Sequence, residues 1–205
     1  SETVVYKTMM GLSAYLDEFD FDLVVVHGDR VEAIAVSLTC ALKNIKVGHI
    51  EGGEFSGTID NSIRHATSKF SHSHFVANTD CKDRLIKLGE NPNSIFCIGS
   101  PEIDLMQSDK SPTLKEAKLS YEIDFDNYYI GIYHSVVTET HLLKEQIKNF
   151  VDEVISLSKN FIIIHPNNDL GSELIKEEYK RLIGFKNIKI FPSIRFEYYL
   201  VLLKN

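Results

Sequence analysis

The sequence predicts an α/β protein built from two doubly wound parallel-sheet domains. Short apolar, β-branched segments alternate along the chain with segments whose apolar residues recur at helical spacing, which is typical of strands joined by helical crossovers. The predicted strands are nearly all apolar, and this pattern indicates strands buried on both faces of a sheet. The 205 residues suffice for one large domain or two small ones,.

The first predicted domain covers residues 1–106 and repeats a strand–turn–helix unit. Each of its strands ends at a turn that contains glycine or polar residues,. The predicted elements are a strand at 21–26, a helix at 31–42, a strand at 47–50, a helix at 61–70, a strand at 74–77, a helix at 79–88 and a strand at 95–98.

A change in composition separates the two predicted domains. Residues 107–126 are polar and carry a short helix in place of core strands, so we predict a linker there. The second domain, 127–205, resumes the alternation. Its predicted elements are a strand at 128–133, a helix at 138–157, a strand at 161–164, a helix at 172–182, a strand at 188–191 and a helix at 194–203.

Composition and charge exclude several classes of partner and environment. The formal net charge is -7 and no basic run occurs, which argues against a nucleic-acid partner. Cys40, Cys81 and Cys97 form no Cys-x-x-Cys pair, which favours buried free thiols in a reducing compartment,. No apolar run approaches the roughly 18 residues that would span a membrane, and the N-terminus lacks a signal-peptide pattern. We therefore expect a cytoplasmic protein with no membrane partner.

Polar residues cluster at the predicted carboxyl ends of the strands, where ligands bind in such sheets. These residues are His27 to Arg30, Glu51 to Glu54, His134, and His165 to Asn168. Carboxylates that converge at one site shift one another's pKa values, as acid–base catalysis requires. For Asp29 and Asp60, an alternative is that each carboxylate only caps the helix that follows.

The glycine and histidine patterns bear on which ligands and cofactors the chain could bind. The pair Gly52-Gly53 allows a sharp turn and a close approach of the backbone to a ligand,. The histidines at positions 49, 65, 72 and 74 fit no zinc spacing, so we expect structural roles and no metal,. No Gly-x-Gly-x-x-Gly or Walker motif occurs, which argues against a dinucleotide cofactor or an ATP-binding loop.

Five sequence motifs, in this order and spacing, resemble the hydrolysing UDP-N-acetylglucosamine 2-epimerases. The motifs are Val26-His27-Gly28-Asp29-Arg30, His49-Ile50-Glu51-Gly52-Gly53-Glu54, Ser56-Gly57-Thr58-Ile59-Asp60, Ile63-Arg64-His65-Ala66 and Gly99-Ser100-Pro101-Glu102-Ile103-Asp104. The resemblance is densest between residues 22 and 106 and continues more thinly through Tyr133-His134 and the 166–172 segment.

The resemblance implies a Rossmann-like, glycosyltransferase-B-like architecture and an enzyme that uses neither a metal nor a redox cofactor. It implies a UDP-sugar substrate, elimination of UDP to a 2-acetamidoglucal, and hydration to N-acetylmannosamine. By this resemblance Asp29, Glu51 and Asp60 share the proton transfers, and His134 stabilises the departing phosphate. The UDP-binding residues that it implies are Arg30, Gly52, Gly53, Asn167 and Ser172. The family tends to form oligomers, which implies a homodimer or a homotetramer.

The chain also departs from the family pattern. It lacks the usual first strand with its Arg-bearing loop and the later segment that holds the uridine, so we expect it to be incomplete at both ends. Two further hypotheses remain open. One is the same chemistry on a UDP-2,4-diacetamido-2,4,6-trideoxyhexose, as needed for legionaminic acid, and the other is a nucleotide-sugar binding module without turnover. A non-hydrolysing epimerase is disfavoured by the Glu-Gly-Gly-Glu and Ser-Gly-Thr-Ile-Asp motifs.

Overall fold

The computed structural model describes residues 2–108, 111–136, 139–167 and 170–205. The chain forms two compact units that divide between Ile103 and Asp104. Each unit contains one parallel β-sheet flanked by helices. The predicted α/β fold class is therefore confirmed.

The first unit carries four parallel strands in sequential order, β1-β2-β3-β4. The register pairs Val26 with His49 and His27 with Ile50, so β1 and β2 end side by side. The elements are α1 (Glu2–Glu18), β1 (Leu23–His27), α2 (Val31–Leu42), β2 (Lys46–Ile50), α3 (Ile59–Lys69), β3 (Ser73–Val76), α4 (Thr79–Lys87), β4 (Ile95–Cys97) and α5 (Pro101–Met106), which crosses the unit boundary.

The helices of the first unit cover one face of its sheet. Because crossovers between adjacent parallel strands are right-handed, the sequential strand order places α2, α3 and α4 on the same side. Val26 and Val47 are buried there together with Leu16 of α1. On the opposite face Val25 of β1 is 51% exposed and Phe96 of β4 is 47% exposed. The expectation that these strands are buried on both faces is therefore wrong, because no described element of this unit covers that face.

The second unit carries three parallel strands in the order β5-β6-β7. All four residues of the central strand β6 are buried, since α7 and α8 pack on one face of the sheet and α6 and α9 on the other. The elements are α6 (Leu114–Ser120), β5 (Tyr129–Ile132), α7 (Leu143–Leu157), β6 (Phe161–Ile164), α8 (Ser172–Tyr179), β7 (Ile188–Phe191) and α9 (Phe196–Lys204).

The segment 107–126, which we predict as a linker, contributes to the core of the second unit. Ala117 of α6 is fully buried, and Ile123 and Phe125 pack into the same cluster as Ile162 of β6. A capping box between Thr113 and the third helical residue starts α6,. The polar composition that suggested a linker thus belongs to the exposed face of a short packed helix.

Most predicted elements differ from the observed ones by one to three residues at their ends. The helix predicted at 138–157 is observed as α7 from Leu143, and residue 138 lies outside the described residues. The helix predicted at 172–182 continues past α8 as a 3-10 turn, Lys180–Leu182. The sequence analysis assigned no element to α1. Among the described residues, none of the helices has the length and apolar character that crossing a membrane requires.

Candidate active site

The turns after β1 and β2 bring the predicted carboxylates of the first unit to one edge of its sheet. The Gly28 amide donates to the Ile50 carbonyl at 3.0 Å, and the Glu51 amide donates to the Phe75 carbonyl at 2.9 Å. These bonds continue the parallel ladder beyond the strands and fix both turns. Gly28 has a φ of 75° and Glu51 a φ of 64°. A left-handed backbone at a non-glycine residue such as Glu51 costs about 1–3 kcal/mol and is concentrated at functional sites.

Arg64 of α3 connects the turns after β1 and β2. Its guanidinium donates to the Asp29 carboxylate and, at 2.8 Å, to the carbonyl oxygen of Glu51. The same group lies 3.5 Å from a carboxylate oxygen of Glu54, and the arginine side chain is only 9% exposed. The sequence analysis gave Arg64 no role. Its position could have suggested a role, because Arg64 is a cation about one helical turn into α3, the helix that follows the two turns bearing Asp29 and Glu51.

Asp29 does not cap α2. The N-cap position of that helix is Arg30, which has extended backbone and makes no side-chain capping bond. The capping alternative for Asp29 is therefore wrong, and the carboxylate instead pairs with Arg64. Arg30 itself is exposed and lies 3.3 Å from Glu32 of the same helix.

The Glu51 carboxyl lies among two other titratable side chains. His27 Nε2 is 3.1 Å from a Glu51 oxygen and 3.7 Å from a Glu102 oxygen. Glu102 accepts a 2.6 Å hydrogen bond from the Ser100 hydroxyl. Burial raises the pKa of Glu51, whereas the hydrogen bond from Ser100 lowers the pKa of Glu102,.

His49 of β2 supports the turn after β1 through a side-chain hydrogen bond. It is fully buried, and its Nε2 lies 2.8 Å from the Gly28 carbonyl while its Nδ1 lies 2.9 Å from the Ser68 hydroxyl. Burial lowers the pKa of His49 to about 4, so the ring is neutral at pH 7. This histidine therefore has the structural role that the sequence analysis expected.

Gly52 and Gly53 are buried against the protein itself. A Cβ at Gly52 would lie 3.0 Å from the Ser68 hydroxyl, and a Cβ at Gly53 would collide with the backbone carbonyl of Cys81 in α4. Gly53 also has a φ of 77°. Packing thus accounts for both glycines, and their small size seats the Glu51–Glu54 turn on α3 and α4.

Asp60 lies in the first turn of α3 and is exposed. The helix is capped by Thr58, whose side chain accepts from the Asp60 amide and donates to the Asp60 carboxylate at 2.7 Å. The capping alternative for Asp60 is therefore also wrong, since the cap is the threonine. The Asp60 carboxylate is therefore exposed and bonded to the Thr58 hydroxyl of its own helix start.

The second unit displays its predicted residues after β5 and β6. His134 is exposed two residues after β5, and Asn167 is exposed three residues after β6. Ser172 is buried at the start of α8. The Ser135 hydroxyl, next to His134, donates to the Leu170 carbonyl at 2.6 Å. Asn168, which the sequence analysis grouped with Asn167, lies outside the described residues.

A cavity opens at the carboxyl ends of the strands of the second unit. Its volume is about 310 Å³, within the usual range for small-molecule sites,. The residues that line it are Ile132, Ile164, His165, Pro166, Asn167, Pro192, Ser193, Ile194, Phe196 and Tyr199. Its walls are mostly apolar, which suits a planar ring with a few polar substituents. A larger cavity of about 500 Å³ lies at the opposite end of β1, away from Asp29 and Glu51.

One group of described residues has donor atoms close enough to hold a metal ion. It consists of His27, Glu51 and Glu102, whose candidate atoms lie within 4.8 Å of one another. Hydrogen bonding and ion pairing among these three side chains already account for their approach, and we assign no metal to them.

Comparison with known proteins places this arrangement in a family. A family model described as UDP-N-acetylglucosamine 2-epimerase matches residues 1–205. The chain belongs to the UDP-N-acetylglucosamine 2-epimerase family. The UDP-N-acetylglucosamine 2-epimerase of Neisseria meningitidis serogroup B is 45% identical over 202 residues, which cover 98% of this chain and 53% of that protein.

A second relative of this chain is named as a hydrolysing enzyme. The UDP-N,N'-diacetylbacillosamine 2-epimerase (hydrolyzing) of Legionella pneumophila is 34% identical over 187 residues, which cover 91% of this chain and 50% of that protein. The chain thus spans about half the length of the curated relatives it matches.

The likeness to solved structures concerns the fold. The crystal structure of a Neisseria meningitidis UDP-GlcNAc 2-epimerase bound to UDP-GlcNAc matches with a TM-score of 0.73 at 23% identity, over 97% of this chain and 57% of that one. A Methanocaldococcus jannaschii UDP-GlcNAc 2-epimerase matches with the same TM-score at 21% identity, over 98% of this chain and 57% of that one. The predicted fold class is therefore confirmed, as is membership of the UDP-N-acetylglucosamine 2-epimerase family, which the family model and the 45% identical relative show.

Proposed function

We propose that this chain carries the catalytic carboxylates of a hydrolysing UDP-sugar 2-epimerase, which converts UDP-N-acetylglucosamine and water to N-acetylmannosamine and UDP. The observation that carries the proposal is the Asp29–Arg64–Glu51 group at the carboxyl ends of β1 and β2, in a chain of the epimerase family. The relative that is 45% identical supports the sugar, and the relative named as hydrolyzing supports the reaction type.

The proposed reaction has two steps, each of which needs an acid or a base. A base removes the C2 proton of the sugar while the C1–O bond breaks, so that UDP leaves and a C1=C2 double bond forms in 2-acetamidoglucal. Water then adds its oxygen to C1, and an acid delivers a proton to C2 from the opposite face, which gives N-acetylmannosamine. Positioned carboxyl groups typically contribute about 100- to 10,000-fold to such proton transfers.

Asp29, Glu51 and Asp60 are the proposed acid–base groups. Asp29 is held in an ion pair by Arg64, whereas Glu51 sits in a buried environment that raises its pKa. One ionised and one protonated carboxyl are the minimum that the two steps require. Arg64 fixes the distance between the two turns by binding both of them at once.

Residues of the second unit are the proposed binding groups for the nucleotide. The mostly apolar cavity that Asn167 lines would take the uracil ring,. His134 would donate to the phosphate that departs with UDP. Ser172, at the first position of α8, has a backbone amide that an anionic group can accept from,. Arg30 would balance charge near the phosphates.

The same chemistry on a UDP-2,4-diacetamido-2,4,6-trideoxyhexose is the second candidate function. The Legionella pneumophila relative, which is 34% identical, carries the name of such an activity. The higher identity of 45% to a UDP-N-acetylglucosamine 2-epimerase favours the N-acetylglucosamine substrate.

Proton and phosphorus NMR in D₂O test the proposal directly. The protein, expressed from its complete open reading frame, is incubated with UDP-N-acetylglucosamine. Free UDP together with N-acetylmannosamine that carries deuterium at C2 is the expected result, because solvent supplies the proton in the hydration step. Formation of UDP-N-acetylmannosamine without free UDP would instead show a non-hydrolysing epimerase.

A matched pair of variants ties the reaction to the carboxylates. Asp29→Asn should lower kcat by about 100-fold or more and leave the Kd for UDP within about twofold. Asp22→Asn, an exposed aspartate at the amino end of β1, should leave both quantities unchanged. Binding of UDP without turnover of either UDP-sugar by the unmodified protein would make it a binding module and sink the proposed function.

A further inference from the structure

We propose that His27 and Glu102 are positioning residues that hold the Glu51 carboxyl in place as the proton-bearing acid of the site. This inference rests on the proposed function, since it assigns one of the two acid–base roles to Glu51. Neither His27 nor Glu102 is needed for the Asp29–Arg64 ion pair, so they form a second group around the same turn.

Three side chains from three different segments of the chain lie close together in this group. His27 ends β1, Glu51 begins the turn after β2, and Glu102 lies in α5. His27 Nε2 is 3.1 Å from Glu51 and 3.7 Å from Glu102. The Ser100 hydroxyl fixes the orientation of Glu102 at 2.6 Å. Glu51, which makes the contact with His27, has a left-handed backbone with a φ of 64°.

Electrostatic interactions shift the pKa values of Glu51 and Glu102 in opposite directions. Burial is the largest cause of the raised pKa of Glu51, and the hydrogen bond and negative charge of Glu102 raise it further. The hydrogen bonds from the Ser100 hydroxyl and from the Glu102 backbone amide lower the pKa of Glu102 most, and the hydrogen bond with Glu51 lowers it further. The facing oxygens of Glu51 and Glu102 lie within 4.8 Å of one another, and carboxyl groups this close disfavour the ionisation of both. The opposite directions of the two pKa shifts favour a proton on Glu51 and the negative charge on Glu102.

His27 acts on Glu51 in the opposite direction. Its hydrogen bond and charge lower the pKa of Glu51, so the histidine limits the rise that burial and Glu102 produce. The other charged groups facing this turn are Arg64, which donates to the backbone carbonyl of Glu51, and its partners Asp29 and Glu54. These three belong to one paired cluster whose charges are unchanged in the variants used below.

The first test measures the titration of Glu51 without substrate. The protein is labelled with ¹³C at the glutamate carboxyl carbons, and the Glu51 signal is identified by its loss in Glu51→Gln. Glu102→Gln should move the Glu51 titration to lower pH, because it removes a negative charge and supplies an amide donor. His27→Asn should move it to higher pH, because it removes the group that favours the ionised form.

Two further variants keep this test decisive. Glu102→Asp retains the charge and should preserve more of the raised pKa of Glu51 than Glu102→Gln does. Glu177→Gln removes an exposed glutamate that pairs with Lys180 on the second unit, and it should leave the Glu51 titration unchanged. Amide ¹H–¹⁵N spectra check that each variant retains the fold.

The second test follows kcat against pH with the UDP-sugar that is turned over. Glu102→Gln should shift the alkaline limb of the kcat profile to lower pH and reduce kcat at neutral pH about tenfold, with KM changed less than twofold. If His27 and Glu102 had purely structural roles, the two substitutions would not shift the Glu51 titration in opposite directions. The proposal is overturned if Glu102→Gln and His27→Asn leave the Glu51 titration unchanged or shift it the same way. It is also overturned if the titration moves while the kcat profile stays in place.

The outcomes separate this inference from the proposed function. Absence of turnover with any UDP-sugar, combined with the two expected titration shifts, would reject the proposed function while supporting the proton assignment to Glu51. Turnover with an unshifted Glu51 titration would support the function and reject the assignment.

Discussion

At the scale of single residues, Arg64 holds the carboxylate turns of the first unit together. It binds the Asp29 carboxylate and the Glu51 carbonyl and lies 3.5 Å from Glu54. Arg64→Ala would leave partly buried acceptors without a partner, so we expect the free energy of unfolding to fall by about 2–4 kcal/mol. Arg64→Lys should recover part of this stability but not the activity, because a lysine cannot bind two acceptors in the fixed geometry of a guanidinium.

Urea denaturation and kcat measurements check this prediction side by side. Arg181→Ala is the matched control, since that arginine also pairs with two carboxylates but is exposed on the second unit. Exposed ion pairs contribute about 0–1 kcal/mol. Equal losses of stability in Arg64→Ala and Arg181→Ala would contradict the bridging role of Arg64.

His49 gives the first unit a pH-dependent stability. Its pKa is about 4 in the folded protein, against an ordinary value of 6.5, because burial disfavours the charged ring. The folded-state pKa is depressed, so the stabilisation is fully present above pH 6.5 and is lost as the pH falls from 6.5 toward 4. The shift corresponds to on the order of 3 kcal/mol across this window.

Denaturation curves at pH 7.0 and pH 5.0 measure this effect. The decline in the free energy of unfolding between the two pH values should be smaller in His49→Gln than in the unmodified protein. His74, whose pKa burial also lowers, contributes in the same direction and remains in both proteins. His141→Gln removes an exposed histidine and should keep the full decline. A decline of the same size in His49→Gln would refute the assignment.

At the scale of elements, the turn after β2 depends on its packing against α4. Gly53 has a φ of 77°, and a Cβ there would collide with the Cys81 carbonyl. Gly53→Ala combines left-handed strain of about 1–2 kcal/mol with overpacking of about 1–3 kcal/mol. We therefore expect a loss of about 2–5 kcal/mol and a displaced Glu51, which should also lower kcat.

Gly57→Ala is the matched control for this prediction. A Cβ at Gly57 meets nothing within 4 Å, and its φ is not positive. Thermal denaturation of the two variants should therefore differ by several degrees. A Gly53→Ala protein as stable as Gly57→Ala would show that the turn relaxes without cost.

The sequence predicted the elements whose pattern is strong and missed the one whose pattern is weak. The apolar runs of β2 and β6 and the helical spacing of α2 predicted those elements closely. Helix α1 went unassigned because it buries only Leu16 fully and leaves Tyr6, Met10 and Tyr15 exposed. An apolar stripe that narrow gives little periodic signal.

From the sequence, Asp29 and Glu51 could be placed at the ends of neighbouring strands, but their contacts could not be predicted. Asp29 and Glu51 could be named because each follows a strand at a glycine-containing turn. Their junction through Arg64, and the grouping of Glu51 with Glu102, depend on strand register and on the rotation of α3 and α5. Those features are set by packing among residues distant in sequence, which local pattern does not specify.

At the scale of the whole molecule, the two sheets differ in how their faces are covered. Helices cover both faces of the β5–β7 sheet, whereas the described helices of the first unit cover one face of the β1–β4 sheet. An all-apolar strand is therefore not sufficient to infer burial on both faces. In β1 the residues Val24 and Val26 point toward the helices, and Val25 points away from them.

One pair of identical substitutions measures this asymmetry within a single unit. Val47 of β2 is fully buried under the helices, while Val25 of β1, on the opposite face, is 51% exposed. Val47→Ala removes two buried methyl groups and leaves a cavity, so it should cost about 2 kcal/mol. Val25→Ala should cost less than about 0.5 kcal/mol in the 205-residue chain, as exposed substitutions usually do. Urea denaturation of both variants gives the two values. Equal costs would mean that the outer face of the β1–β4 sheet is covered in solution, and the one-sided description of this sheet would then be wrong.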